Sequence, residues 1–199
     1  MGIGSWVKID SNHVCLNGEN VNTGEKGKEL LVALYRKYIK DYPKFFKMDT
    51  LSRLGVVACD LLMGSKEIAD GDKENMSIIL FNAAGSIAND SSYQKTIVED
   101  NYFPSPAVFV YTLPNIVTGE IAIRHKIYGE TSFYITKDAD ATQIFDIVNS
   151  SLPNDGTGTC ICGWLECKAD DDFEATLFLL DNSNDCLFNI ENINRIINY

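Results

Sequence analysis

Three cysteines in one short segment are the first candidates for chemistry. Cys160, Cys162 and Cys167 stand close together, and thiolates bind zinc or act as nucleophiles. Paired zinc ligands usually stand two residues apart and are joined by a second pair or by histidines; this segment has neither. Side chains alternate along a strand, so Cys160, Cys162 and Trp164 would share one buried face. We interpret the segment as a strand and the cysteines as core residues, and predict no metal site.

The other candidates are two histidines and a glycine. His13 and His125 are far apart in sequence, and neither stands in a motif that would make it a base or a ligand. We interpret both as surface or satisfied loop residues. Gly85 follows an apolar run, where glycine-rich turns sometimes bind phosphate. A single glycine without a lysine indicates an ordinary turn.

Composition excludes several function classes. The chain has 199 residues, of which 45% are hydrophobic and 23% are charged, with a net charge of −11. These values are typical of a globular protein, and we expect one domain over residues 1–199. The acidic balance argues against nucleic acid and anionic membranes as partners. The sequence has neither an apolar run long enough to span a bilayer nor a secretory signal, so we expect a cytoplasmic protein. No residue pattern calls for a cofactor.

The hydrophobic periodicity predicts alternating strands and helices. Val108 to Leu113 could be either strand or helix. The other predicted elements are a hairpin over 5–16, a polar loop over 17–28, helices beginning at 29 and over 49–63, a strand over 76–81, helices over 91–100 and 139–150, strands over 160–168 and 175–181, and a closing helix over 190–199. The fold class is therefore α/β with an antiparallel edge.

One long segment resembles the β-ketoacyl synthases. It runs from Phe103 through Ser105-Pro106 and Leu113-Pro114-Asn115 to Gly119 and Ile123. Lys47-Met48-Asp49 resembles the start of an earlier helix of that family, and residues 78–82 resemble its next core strand. The resemblance covers about residues 45 to 181. It implies a thiolase-like half-fold: a mixed five-stranded sheet, ordered βαβαβαββ along the chain, with helices on both faces.

The resemblance does not extend to the catalytic groups. The family uses a cysteine at the start of a central helix and two histidines from a second half, which is missing here. Asp138 stands at the position of the nucleophile, and no cysteine lies between Cys59 and Cys160. An aspartate cannot form the usual thioester. Asp138 and Asp140 both fall at the start of this helix, where carboxylates cap free amides, so we interpret Asp138 as a capping residue rather than as a catalytic carboxylate. Neither His13 nor His125 stands in the family's histidine motifs.

The central helix has a polar side, which includes Thr142, Gln143 and Asp146. That side would suit water or a polar partner, so we expect the half-fold to stand without its second half, although a homodimer could also replace it.

Three functions remain open. The resemblance implies a non-catalytic accessory or chain-length-factor-like subunit of fatty-acid, polyketide or aryl-polyene-type biosynthesis, partnered by a larger ketosynthase. The alternative is a stand-alone acyl-thioester or small-molecule binding protein that uses a remnant pocket of Asn115, Gly119, Gly129 and Asp138. The third, residual hydrolase or decarboxylase activity through Asp138, lacks a positioned base. Acyl carrier proteins are acidic, so docking to a chain of charge −11 would need a local basic patch.

Overall fold

A seven-stranded mixed sheet is the framework of the molecule. The computed structural model describes residues 1–66, 68–97, 103–152, 158–182 and 186–199. The strands across the sheet are ordered β3-β2-β1-β7-β6-β4-β5. Their bounds are β1 (Gly2–Asp10), β2 (Val14–Leu16), β3 (Glu19–Asn20), β4 (Ser77–Asn82), β5 (Thr131–Ile135), β6 (Cys160–Ala169) and β7 (Asp172–Asp181).

The strand directions bring one set of strand ends together. β4 pairs in parallel with both β5 and β6. β7 is antiparallel to β6 and to β1, so β1, β4, β5 and β6 all run the same way. The carboxyl ends of β4, β5 and β6 therefore lie at one edge of the sheet, which is where ligands usually bind in open α/β sheets.

Helices fill the connections between these strands. The helices are α1 (Gly27–Leu34), α2 (Thr50–Gly64), α3 (Asp70–Glu74), α4 (Ile87–Gln94), α5 (Pro106–Val110), α6 (Ile116–His125), α7 (Ala141–Ser151) and α8 (Ile190–Ile197), with a π-helical turn at Tyr35–Ile39 and a 3-10 helix at Pro43–Lys47. Asp49 caps α2, because its carboxylate accepts a hydrogen bond from the Ser52 amide at 3.1 Å. The predicted helix over 49–63 is confirmed.

The sheet has two apolar faces, each with its own core. Side chains alternate along β4, so Ile78 and Leu80 belong to one core, and Ile79 and Phe81 to the other. The first core is the larger and includes residues of α1, α2 and α6. The second includes residues of α7 and α8. Burial on both sides explains why β4 is a continuous apolar run in the sequence.

The predicted fold class is confirmed, but the predicted number of strands is wrong. β1, β4, β5, β6 and β7, with the helices between them, follow the order βαβαβαββ, and helices cover both faces. Two further strands, β2 and β3, extend the sheet beyond β1. Asn17 and Gly18 join them with φ of 53° and 89°. Positive φ at both positions is the conformation that Asn-Gly favours in two-residue hairpins, so the predicted loop over 17–28 begins with a hairpin.

The structure decides one prediction that was left open and corrects the bounds of another. The segment 108–113, which could be strand or helix, contributes to α5, whose first helical residue is Pro106. The Ser105 hydroxyl caps this helix by accepting from the Val108 amide at 3.4 Å. The helix predicted over 91–100 begins earlier, at Ile87, and ends at Gln94, so its bounds were wrong. Residues 98–100 lie outside the described part of the chain.

Helix α8 closes the second face, and we expect its buried side to stabilise the fold. Ile193 is 0% exposed and Ile190 is 41% exposed on the same helix. Ile193→Ala should lower the free energy of unfolding by about 2–5 kcal/mol, because it leaves a cavity. Ile190→Ala should cost about 1 kcal/mol, because that residue is already 41% exposed and loses less buried surface. Urea denaturation of both variants measures the difference; equal losses would contradict this role of α8.

Candidate functional site

The carboxyl ends of β4, β5 and β6 carry the polar groups nearest to the predicted nucleophile position. β4 leads into the turn 82–86, and β5 leads into 136–140 at the start of α7. β6 lies on the other side of β4 and carries Glu166 near its own carboxyl end. This edge of the sheet is the candidate functional site.

Asp140, rather than Asp138, caps helix α7. The Asp140 carboxylate accepts hydrogen bonds from the amides of Thr142 at 2.7 Å and Gln143 at 3.3 Å. Asp138 is exposed, and its backbone carbonyl accepts from the Asp140 amide and from the Thr136 hydroxyl. The sequence-based prediction of a capping aspartate is therefore confirmed for Asp140 and wrong for Asp138. The helix begins two residues later, where a second aspartate has the same chemistry.

No thiol lies at the start of α7. Residues 136–141 are Thr-Lys-Asp-Ala-Asp-Ala, and of the six cysteines five are buried, while Cys186 is half-buried. Cys160, Cys162 and Trp164 share the second core, as the alternation predicts. Cys167 is also buried, and burial raises the pKa of its thiol to about 12. A thiol with that pKa is not ionised at neutral pH, so Cys167 is not an activated nucleophile.

A buried carboxylate that the sequence analysis missed lies at the same edge. Glu166 is 2% exposed, and its Oε2 accepts hydrogen bonds from the amides of Ala83 at 2.9 Å and Ala84 at 3.1 Å. Its Oε1 accepts from the Cys167 amide at 3.0 Å. These three amide donors hydrogen-bond a carboxylate that would otherwise be costly to bury. The only sequence signal for this residue is a single acid in the apolar run of β6.

The two histidines lie elsewhere. The side chain of His13 is 78% exposed and contacts Asp10 near the end of β1. His125 ends α6, and its Nε2 lies 3.8 Å from an Asp60 carboxylate that pairs with Arg124 at 2.5 and 2.6 Å. Burial lowers the pKa of His125. His125 precedes the start of β5, whereas Asp138 follows its end, so the two do not share a site.

The four residues of the predicted remnant pocket lie at different places in the fold. Asn115 and Gly119 are exposed at the start and in the middle of α6. Gly129 lies before β5, and Asp138 lies after it. A strand of five residues is about 16 Å long, which separates the last two.

A cleft of about 810 Å³ lies away from the candidate site. Its lining includes His125 and residues at the end of α2, such as Met63 and Gly64, but none of the four predicted pocket residues. Within the described ranges, no group of three or more histidine, cysteine, aspartate or glutamate side chains could hold a metal ion.

The two aspartates before α7 should differ in their effect on stability. Asp140→Ala should lower the free energy of unfolding by about 1 kcal/mol, because two helix amides lose their acceptor. Asp138→Ala should change it by less than about 0.5 kcal/mol, because its side chain is exposed and only its backbone is bonded. Chemical denaturation of both variants checks this; a larger effect at Asp138 would contradict the assignment of the cap.

Two of the predicted pocket glycines should also respond in opposite directions. A Cβ at Gly129 would lie 2.2 Å from the Met76 carbonyl oxygen, whereas a Cβ at Gly119 meets nothing within 4 Å. Gly129→Ala should therefore destabilise the protein by about 1–3 kcal/mol. Gly119→Ala should stabilise it by about 0.5–1 kcal/mol, because alanine favours the interior of a helix. Urea denaturation gives both values, and a loss of stability at Gly119 would show that this position needs glycine.

The comparisons with known proteins concern the fold. No protein-family model and no curated protein matches the sequence. Among solved structures, the ishigamide ketosynthase/chain length factor is similar with a TM-score of 0.63 and 14% identity over 93% of this chain. The ketosynthase ApeO in complex with its chain length factor ApeC, from Xenorhabdus doucetiae, is similar with a TM-score of 0.59 and 12% identity over 98% of this chain.

The two similar structures differ in how much of their own length this chain covers. This chain spans 63% of the length of the ishigamide protein and 90% of the matched chain of the second structure. At these identities the likeness is one of fold. The chain has the thiolase-like fold of ketosynthase and chain length factor proteins.

Proposed function

We propose that this chain is a non-catalytic, chain-length-factor-like subunit that pairs with a larger ketosynthase in fatty-acid, polyketide or aryl-polyene-type biosynthesis. The observation that carries the proposal is an uncharged apolar surface beside an unpaired sheet edge, in a fold shared with ketosynthase and chain length factor proteins. One of those similar structures is described as a ketosynthase in complex with its chain length factor.

The uncharged surface is the segment 103–123. It contains a single charged residue, Glu120, in a chain that is 23% charged. Glu120 is 5% exposed. Its carboxylate accepts a hydrogen bond from the Tyr111 hydroxyl at 3.1 Å and pairs with the Lys44 ammonium group at 2.6 Å. Large apolar side chains of the segment are exposed: Phe103, Phe109, Val110, Leu113 and Ile123. Apolar surface without charge is typical of protein interfaces.

The free edge of the sheet lies next to this segment. Helix α6, whose residues 116–123 belong to the segment, packs on β5. β5 ends the strand order and pairs with β4 on one side. The Glu130 carbonyl and the Thr136 amide face β4. Backbone groups alternate along a strand, so the amides and carbonyls of Thr131, Phe133 and Ile135 face the other way. Within the described residues no strand pairs with them, and such an edge can accept a partner strand.

The groups at the carboxyl edge support the absence of condensing activity. A condensing enzyme needs a nucleophile that can carry the acyl chain, and the position before α7 holds Asp138 without a thiol. The buried carboxylate of Glu166 accepts hydrogen bonds from three backbone amides and is not free to act as a base. We propose that Asp138 occupies the former nucleophile position and takes no part in chemistry.

Co-expression tests the function. We expect a tagged copy of the chain to co-purify in a 1:1 complex with a larger ketosynthase encoded in the same genome. Loss of the small subunit should change the length of the product without abolishing acyl loading on the large one. Co-purification with no ketosynthase, together with acyl-thioester binding in native mass spectrometry, would favour the stand-alone binding protein instead.

A pair of matched substitutions tests the surface. Ile135 on β5 is 56% exposed. Leu187, whose backbone bridges to Gly2 at the start of β1, is 54% exposed. Ile135→Lys should abolish co-purification, because a charge would be buried at the partner's edge. Leu187→Lys should leave the complex intact. Both variants should unfold within about 0.5 kcal/mol of the wild type, because both sites are exposed. Loss of the complex with Leu187→Lys, or its retention with Ile135→Lys, would contradict this assignment of the interface.

A further inference from the structure

Two backbone amides at the carboxyl edge are aimed at one oxygen atom. Ala83 and Ala84 are consecutive residues in the turn after β4, and both amides donate to Oε2 of Glu166. Adjacent amides that converge on one point form a concave anion-binding arrangement. Here the anion is a side chain of the same protein.

The turn holds its shape by contacts that do not involve Glu166. Asn82 is 0% exposed, and its side chain accepts from the Gly85 amide at 2.8 Å and donates to the Gly85 carbonyl at 2.9 Å. Gly85 has a φ of 62°, which favours glycine. The Ser86 hydroxyl donates to the Thr112 carbonyl, which ties the turn to the segment after α5. The two amides are therefore held in place by their own turn.

The site is also close to solvent. Ala83 and Ala84 are half-buried, whereas Glu166 comes from β6 and lies beneath them. Truncation of Glu166 to alanine would remove the carboxylate and leave the amides of Ala83, Ala84 and Cys167 without this acceptor, which is costly. The substitution removes one methylene and the carboxylate group, so the vacated volume suits acetate or formate. Formate is the smaller of the two probes.

We propose that the Ala83–Ala84 turn is a preformed binding site for a carboxylate, that Glu166 occupies it in the native chain, and that a small free carboxylate binds there when Glu166 is truncated. Occupation by Glu166 closes the amide pair to ligands in the wild type. The inference does not depend on the proposed role of the chain as a subunit, because it concerns the isolated protein.

Chemical rescue tests the proposal. Glu166→Ala should unfold at a lower temperature than the wild type in chloride buffer. In formate buffer of equal ionic strength its midpoint should rise by about 3 °C once formate exceeds its dissociation constant about tenfold. The wild type should show no formate-specific shift. If Glu166→Ala is unfolded in chloride, formate should restore a cooperative transition; failure of formate to stabilise or refold the variant would overturn the proposal.

Two controls separate a specific site from a general salt effect. Glu166→Gln keeps an acceptor oxygen in the turn and should not respond to formate. Glu174→Ala removes a carboxylate that accepts from the Trp164 indole at 3.0 Å and should not respond either. In amide NMR spectra of Glu166→Ala, formate should shift the Ala83 and Ala84 resonances saturably. An equal formate response in Glu174→Ala, or no saturable shift at these two amides, would also overturn the proposal.

Discussion

The sheet has two apolar faces, and the need to cover both shapes the rest of the molecule. Helices α1, α2 and α6 contribute to the core on the first face, while α7 and α8 contribute to the smaller core on the second. The hydrophobic effect makes an uncovered face costly. α8 is short, but two of its isoleucines, Ile193 and Ile196, are almost completely buried. The second face therefore depends on a helix of eight residues at the end of the chain.

The polar residues at the carboxyl edge are likewise explained by the needs of the fold. Residues there either cap, as Asp140 does, or satisfy buried amides, as Glu166 does. Both are acids, and both have backbone amides as partners rather than bases or metal ligands. A carboxylate held by amides stabilises local structure. A catalytic carboxylate needs an open position within reach of its substrate. These two carboxylates thus stabilise the fold, which supports the proposed role of the chain as a partner subunit.

The sequence predicted elements with strong periodicity and failed where backbone geometry decided the outcome. Apolar spacing predicted the helix 49–63 and the strand that holds Cys160, Cys162 and Trp164. The family resemblance alone implied the βαβαβαββ order. The hairpin at Asn17-Gly18 carried a recognisable turn signal that its polar neighbours obscured. Whether Asp138 or Asp140 caps α7 depends on where the helix begins, and helix ends are the least certain part of such predictions.

The candidate site was harder to predict than the fold. Glu166 comes from β6 and its two donors from the turn after β4, more than eighty residues earlier, so no local pattern connects them. The remnant pocket stays a prediction, and the structure shows only that Gly129 and Asp138, which are close in sequence, lie at opposite ends of β5. Nearness along the chain is a poor guide to a site when the residues flank an extended segment.

The two margins of the sheet are unlike each other, and this difference limits how copies or partners can add to it. At one margin, β3 has two residues, both exposed and one of them acidic. At the other, β5 offers five residues with apolar neighbours. An open-ended filament needs two adhesive margins on each molecule, and a closed pair needs only one. Among the described strands only β5 offers such a margin, so association through it would give a closed pair rather than a filament.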